Sequence, residues 1–141
     1  MATNLVYRNT DAKNRVEDLG ATLAPGVARL SKADLPVVTI TGSADYVKSE
    51  TIDGMTLSGI PAGGIGLTAQ QVTLAFDGTW EFAEASVAGV SAASMTQGTA
   101  VYLTVANALT STEGTNTLFG YVDVPPDYDR TRGMVPIRIG A

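Results

Sequence analysis

Two groups of carboxylates in this sequence have spacings that chemistry could use. Glu81 and Glu84 stand three residues apart, and a pair of carboxyls is the minimum equipment of a glycoside hydrolase, one to protonate the leaving oxygen and one to serve as base or nucleophile. A turn with a solvated face accounts for the same two residues without a reaction. Asp123, Asp127 and Asp129 gather around Pro125-Pro126 as the oxygen ligands of a calcium loop do, but no acid follows Gly133 to close such a loop with a bidentate carboxylate. A solvated turn is the simpler reading. Gly63-Gly64-Ile65-Gly66 has the look of a phosphate-cradling loop, yet neither G-x-x-x-x-G-K-S/T nor a complete G-x-G-x-x-G is present. Trp80 offers a ring on which a sugar could stack, although a lone Trp in an apolar strand register is core material first.

The residue types that are missing narrow the chemistry further. The chain has no cysteine and no histidine. That removes disulfides, thiolate nucleophiles and cysteine-ligated metals, together with the side chain that most often serves as a general base near neutral pH. No catalytic residue, metal or cofactor is expected, and an enzyme would need a base or nucleophile of another kind.

The elements that would have to position any site are short strands. Of 141 residues only 16% are charged, against about 25% in an average domain, while Thr, Ala, Val and Gly abound, which suits strands and tight turns better than solvated helices. The length allows one domain. The expected fold class is all-β, a small single-domain β-sandwich or barrel-like fold with an extended N-terminal arm over residues 1–24, at most one short helix, and a β-rich domain over 25–141. The net charge is −5, and every Lys and Arg falls within residues 1–48 or in the final segment (Arg130, Arg132, Arg138). An acidic balance argues against nucleic-acid binding. The N-terminal bases are either simply solvated or belong to an arm that seeks an acidic partner. Residues 1–4 lack a basic start and an apolar core, and no run reaches the roughly 18 apolar residues of a membrane span. The chain is expected to remain in the compartment where it is made, with no membrane partner.

Along the chain, Pro25-Gly26 signals a turn, and Leu35-Pro36-Val37-Val38-Thr39-Ile40 reads as a strand. Residues 41–66 hold so many breakers that a long loop or insertion with one or two short strands is expected. Asp77-Gly78 lies between Val72-Thr73-Leu74-Ala75 and Thr79-Trp80-Glu81-Phe82, the pattern of a β-hairpin. A three-residue loop would pair Leu74 with Trp80 and Val72 with Phe82 on one apolar face; a two-residue turn would scatter apolar and charged side chains over both faces. The first register is therefore expected. Residues 83–95 suit a short helix or an irregular connection equally. Strands follow at 99–104 and 109–112, forming a second hairpin, then at 118–124, stopped by Pro125-Pro126, and at 134–139, where Pro136 predicts an edge or a bulge. The expected core is Val72, Leu74, Trp80, Phe82, Val101, Leu103, Leu118, Val122, Ile137 and Ile139.

Trp80-Glu81-Phe82, then small residues up to Gln97-Gly98-Thr99-Ala100-Val101-Tyr102-Leu103, then Ala108-Leu109-Thr110 and Gly114-Thr115-Asn116-Thr117-Leu118-Phe119-Gly120-Tyr121-Val122, form a pattern that resembles a family of short tailed-phage capsid decoration, or head cement, proteins. In that family a strand ending in an aromatic is followed by G-x-x-V-Y, a polar reversal, G-N-x-x-x-G and a closing V-x-I/L strand. The likeness spans about residues 68–140, with a weaker echo at 25–40, and departs at Gly114-Thr115-Asn116 and in the longer loop 125–133. It implies a β-rich head, often a homotrimer, that binds the outer face of an expanded phage head and braces subunits of the major capsid protein, so that the chain would reside on the virion. An extended arm can add a strand to an exposed sheet edge, and Leu5, Val6 and Tyr7, with Arg8 and Arg15 as charge partners, are the expected capsid-binding residues. A tail without a role is the alternative for the arm. For the whole chain the alternative is a non-enzymatic β-domain that binds carbohydrate, or a tail or fibre component of a phage particle.

Overall fold

In the computed structural model the chain is nearly all β, with thirteen short strands and two 3-10 turns among the described residues. Those residues are 4–7, 14–20, 23–40, 47–52, 55–61 and 71–140, and for residues 7, 47–52, 55–61 and 71 the backbone alone is described. The strands are β1 Leu5–Tyr7, β2 Asn14–Asp18, β3 Ala28–Leu30, β4 Pro36–Thr39, β5 Val47–Ile52, β6 Met55–Pro61, β7 Gln71–Ala75, β8 Gly78–Ala83, β9 Val87–Ala88, β10 Ala100–Leu103, β11 Leu109–Thr110, β12 Thr117–Val122 and β13 Met134–Ile139. Seven form one sheet in the order β1-β8-β13-β12-β10-β11-β9, four form a second in the order β2-β7-β4-β3, and β5-β6 form a separate hairpin. β8 lies next to one edge of the large sheet, yet a 3-10 turn of three residues, Glu84–Ser86, carries it to β9 at the opposite edge. Four peptide steps reach about 14 Å at most, so the large sheet is strongly curled.

The alternation along each strand divides the apolar residues between two clusters. Trp80, Val87, Val101, Leu103, Leu109, Phe119, Val122, Val135, Ile137 and Ile139 of the large sheet meet Ala28, Val38 and Ala75 of the small one in the main core. Val37, Val72 and Leu74 lie on the other face of the small sheet, with Leu23, Leu19 and Phe76 against them. Successive strand residues point to opposite faces, which is why Val37 and Val38 belong to different clusters. Phe82 is half-buried and meets Phe119 edge to face, with centroids 6.3 Å apart.

Four sequence expectations are corrected here. β7 and β8 do not pair: β7 lies between β2 and β4, and β8 between β1 and β13. Asp77-Gly78, with Gly78 at φ 102°, is a corner between sheets, so Leu74 and Trp80 are both buried but in different clusters. β8 pairs over its full length with β13, which sets Trp80 opposite Ile137 and Phe82 opposite Val135; these two pairings favour the corner over the local hairpin. Second, Leu118 is exposed and Phe119 takes its place in the core, beside Val122 of the same strand. The register steps from Val101–Gly120 to Tyr102–Leu118, which leaves Phe119 as the extra residue of a bulge and turns it inward. Third, β13 is central, flanked by β8 and β12. Pro136 is tolerated because its nitrogen points, with its carbonyl, toward Asp123, whose N–H donates to that carbonyl at 3.0 Å just past the end of β12. Fourth, the N-terminal stretch does not stand apart from the domain, since Leu5–Tyr7 pairs with β8 and Asn14–Asp18 with β7.

Candidate functional site

The carboxylates that could have carried chemistry are used to fasten loops. Glu81 points outward from β8 and takes hydrogen bonds from the Tyr128 hydroxyl at 2.6 Å and from the Arg132 guanidinium, which also sits 5.9 Å from the Tyr128 ring centre. Burial alone would push the Glu81 carboxyl up; the hydrogen bonds from Arg132 and Tyr128, with the nearby positive charge, outweigh it and hold the carboxyl below its usual range. For Tyr128, burial and then the bond to Glu81 push the phenol well above its ordinary value. Glu84 serves another element, accepting from Ala92 N at 2.8 Å. Arg130 donates to the carbonyls of Met95 at 2.8 Å and Ala92 at 3.3 Å. The bonds of Tyr128, Arg130 and Arg132 tie the loop 125–133 to β8 and to residues 92–95, and on β13 and β8 Pro136 and Thr79 are buried.

The three aspartates are likewise engaged or apart. Asp123 accepts from Thr79 Oγ1 and Gln97 Nε2, each at 2.9 Å. Asp129 accepts from the backbone N–H of Thr131 at 3.0 Å, capping the 3-10 turn Arg130–Arg132. Among the described residues no group of three or more His, Cys, Asp or Glu is placed to hold a metal ion. Gly63-Gly64-Ile65-Gly66 lies outside the described residues. The Trp80 ring is only 2% exposed, and its Nε1 donates to Asp77 O at 2.9 Å, so it gives a sugar no platform.

The expected capsid-binding residues are dispersed. Leu5 is exposed and Val6 half-buried on β1, an edge strand of the large sheet, and only the backbone of Tyr7 is described. Just before them, Asn4 fastens the stretch: its Nδ2 donates to the carbonyls of Gly26 and Glu81, both at 3.1 Å, and its own carbonyl accepts from Glu81 N at 2.8 Å. Arg15, on β2, pairs with Glu17 at 2.8 Å and lies 4.8 Å from the centre of the Phe76 ring. Arg8 is outside the described residues.

What the geometry does assemble is an exposed block on the outer face of the large sheet. Tyr102 stands opposite Leu118 on one side and Thr110 on the other, while Tyr121 stands opposite Ala100 on one side and Arg138 on the other. Ala100 and Tyr102 are two residues apart on β10 and share a face, so Ala100, Tyr102, Leu118 and Tyr121 form one block. Leu118 and Tyr121 are 40% and 44% exposed, a combination of apolar and aromatic surface beside a cation of the kind that marks contact sites. Alternation in β12 could not have located it, because the bulge changes which residues share a face. No helix among the described residues is long and apolar enough to cross a membrane. No protein-family model matches the chain, and no curated protein or solved structure matches it either.

Proposed function

We propose that this chain is a capsid decoration protein, binding the outer surface of a tailed-phage head as a homotrimer and bracing subunits of the major capsid protein. The observation that carries the reading is the open block of Tyr102, Leu118 and Tyr121 beside Arg138 on a sheet whose back is a packed core. Together with the sequence likeness, it favours adhesion by a preformed surface, with nothing to order on contact except side chains. A trimer that touches several shell subunits gains avidity, since each later contact is effectively intramolecular. Binding the assembled shell alone then stabilises it by mass action. The outer edge of β1, which no described strand pairs, is a second contact in this reading, offering backbone groups to an added strand. The burial of Trp80 removes the feature that suggested carbohydrate binding.

The test is co-sedimentation of the protein with expanded heads that lack it, using heads of the phage that carries this chain. Wild-type protein should pellet with the heads and raise the temperature at which they release DNA. A Leu118→Ser/Tyr121→Ser double variant should bind at least about tenfold more weakly, the effect of losing roughly 1.4 kcal/mol, while unfolding at a temperature close to the wild type's. Failure of the wild type to bind heads refutes the proposal. Equal binding by the double variant removes the open face from it. Localisation to the tail by electron microscopy would favour the tail or fibre reading instead.

A further inference from the structure

A second surface is built differently. β3 is an edge strand of the small sheet, and β9, beside β11, ends the large one. Between them runs an open groove of 510 Å³, lined by Ala28 and Arg29 on one side and by Phe82, Ala85, Ala88 and Leu109 on the other. Val27 O accepts from Thr39 N at 3.0 Å and Ser31 N donates to Leu35 O at 2.8 Å, so residues 27, 29 and 31 direct their backbone groups toward β4. By alternation, Ala28 and Leu30 direct theirs away from it, Ala28 at the groove. The Arg29 side chain bends over this edge and donates to Ala28 O at 2.7 Å. Among the described residues no carboxylate pairs with it, although the guanidinium is half-buried and burial draws its pKa down from the ordinary value. A desolvated guanidinium held only by a neutral carbonyl of its own strand is poorly compensated. It also shields a strand edge that would otherwise pair with another chain.

We propose that this groove receives an extended segment of another protein as an added strand on β3, a carboxylate of that segment drawing the Arg29 guanidinium off Ala28 O. The segment's backbone bonds to the freed carbonyl of Ala28 and to the outward groups of Leu30, and its apolar side chains lie against Phe82 and Leu109. The acid is the selective element: a neutral segment would have to displace Arg29 from Ala28 and leave it with no partner at all, which penalises the wrong ligand as much as it rewards the right one. The inference is independent of the head-binding proposal, which uses the outer face of the other sheet, and either can fail alone.

The test is an NMR titration of the whole protein with two blocked peptides, Thr-Val-Thr-Asp-Val-Thr-Val and the same sequence with Asn for Asp. The expected result is movement of the Ala28 and Leu30 amide signals and the Leu109 methyl signals, with the Asp peptide binding about tenfold more tightly, as a charge-assisted bond implies. The Arg29→Gln variant should bind both peptides equally. N-methylation at alternate peptide positions should abolish binding in one phase and spare it in the other, a readout that needs no change to the protein. Equal affinities in the wild type, no movement at millimolar peptide, or movement confined to signals outside the groove would each overturn the inference. So would concentration-dependent movement of the same signals without peptide, which would make a second copy of the chain the occupant.

Discussion

Replacing Phe119 by Ala should cost far more stability than replacing its neighbour Leu118, although alternation in the sequence puts the two in the opposite order. Phe119 is 2% exposed and meets Phe82 edge to face at 6.3 Å with the rings 79° apart. Truncating a buried Phe to Ala typically costs about 3–5 kcal/mol once the cavity is included, and about 0.5–1.5 of that belongs to an aromatic pair of this geometry. Leu118, 40% exposed on the open face, loses only part of a contact with Tyr102, and surface changes of this kind usually stay within about 0.5–1 kcal/mol. Urea unfolding followed by the fluorescence of Trp80, the only tryptophan, measures both variants against wild type. With the slope unchanged, the shift in midpoint reads the stability difference directly. Equal losses, or a larger loss for Leu118→Ala, would refute the bulge at Phe119 and with it the composition of the open face.

Further outcomes follow from the same packing. Gly120→Ala should cost about 1–3 kcal/mol by thermal or urea unfolding, because a Cβ there would run into the carbonyl oxygen of Arg138 and lie 3.0 Å from Ile137 Cγ2. Glu81, with its folded-state carboxyl pKa lowered, contributes stability that is complete above its unfolded value of about 4.3 and is lost as pH falls through the folded one. Glu81→Gln should therefore flatten the acid limb of a stability–pH curve below about pH 4.3; an unchanged limb would count against the Arg132–Tyr128 clasp. Deleting residues 1–7 should lower the unfolding temperature, since it removes β1 and the Asn4 bonds to Gly26 and Glu81; an unchanged transition would return the segment to the role of a detachable arm. Trp80 emission should be blue-shifted and resist both acrylamide and soluble glycans, because the ring is enclosed. Quenching by a glycan would reopen the carbohydrate reading.

The strands that carry alternating or β-branched apolar residues were legible, as at Pro36–Thr39, Ala100–Leu103, Leu109–Thr110 and Met134–Ile139. Eight of the ten expected core residues are buried for the same reason, Phe82 being half-buried and Leu118 exposed. β2 was not legible: Asn14, Arg15, Glu17 and Asp18 surround a single Val16 that is itself 44% exposed, so the strand exists through its backbone pairing with β7 and leaves no apolar trace. Partner choice was also hidden. Asp-Gly between apolar runs marks a reversal, but whether the reversal closes a hairpin or turns a corner is decided by what else can pair with each run, and β13 begins more than fifty residues after Asp77. The carboxylates were legible as candidates, yet their employment as clasps depends on loops that arrive from distant parts of the chain.

The bulge links the unread part of the core to the unread part of the surface. In an unbroken strand Leu118 and Tyr121, three residues apart, would point to opposite faces, and Phe119 would share its face with Tyr121. The extra residue reverses that relation: Phe119 and Val122 both enter the core, while Leu118 and Tyr121 both emerge opposite β10, against Tyr102 and Ala100. Gly120 permits it, because the register brings β13 so close that no side chain fits at that position. The open face therefore cannot be altered freely by evolution or by design, since removing the bulge would bury Leu118 and expel Phe119 in the same step. Burial of Phe119 holds the open face in place, and this coupling is the physical ground for expecting a preformed adhesive surface instead of one that orders on contact.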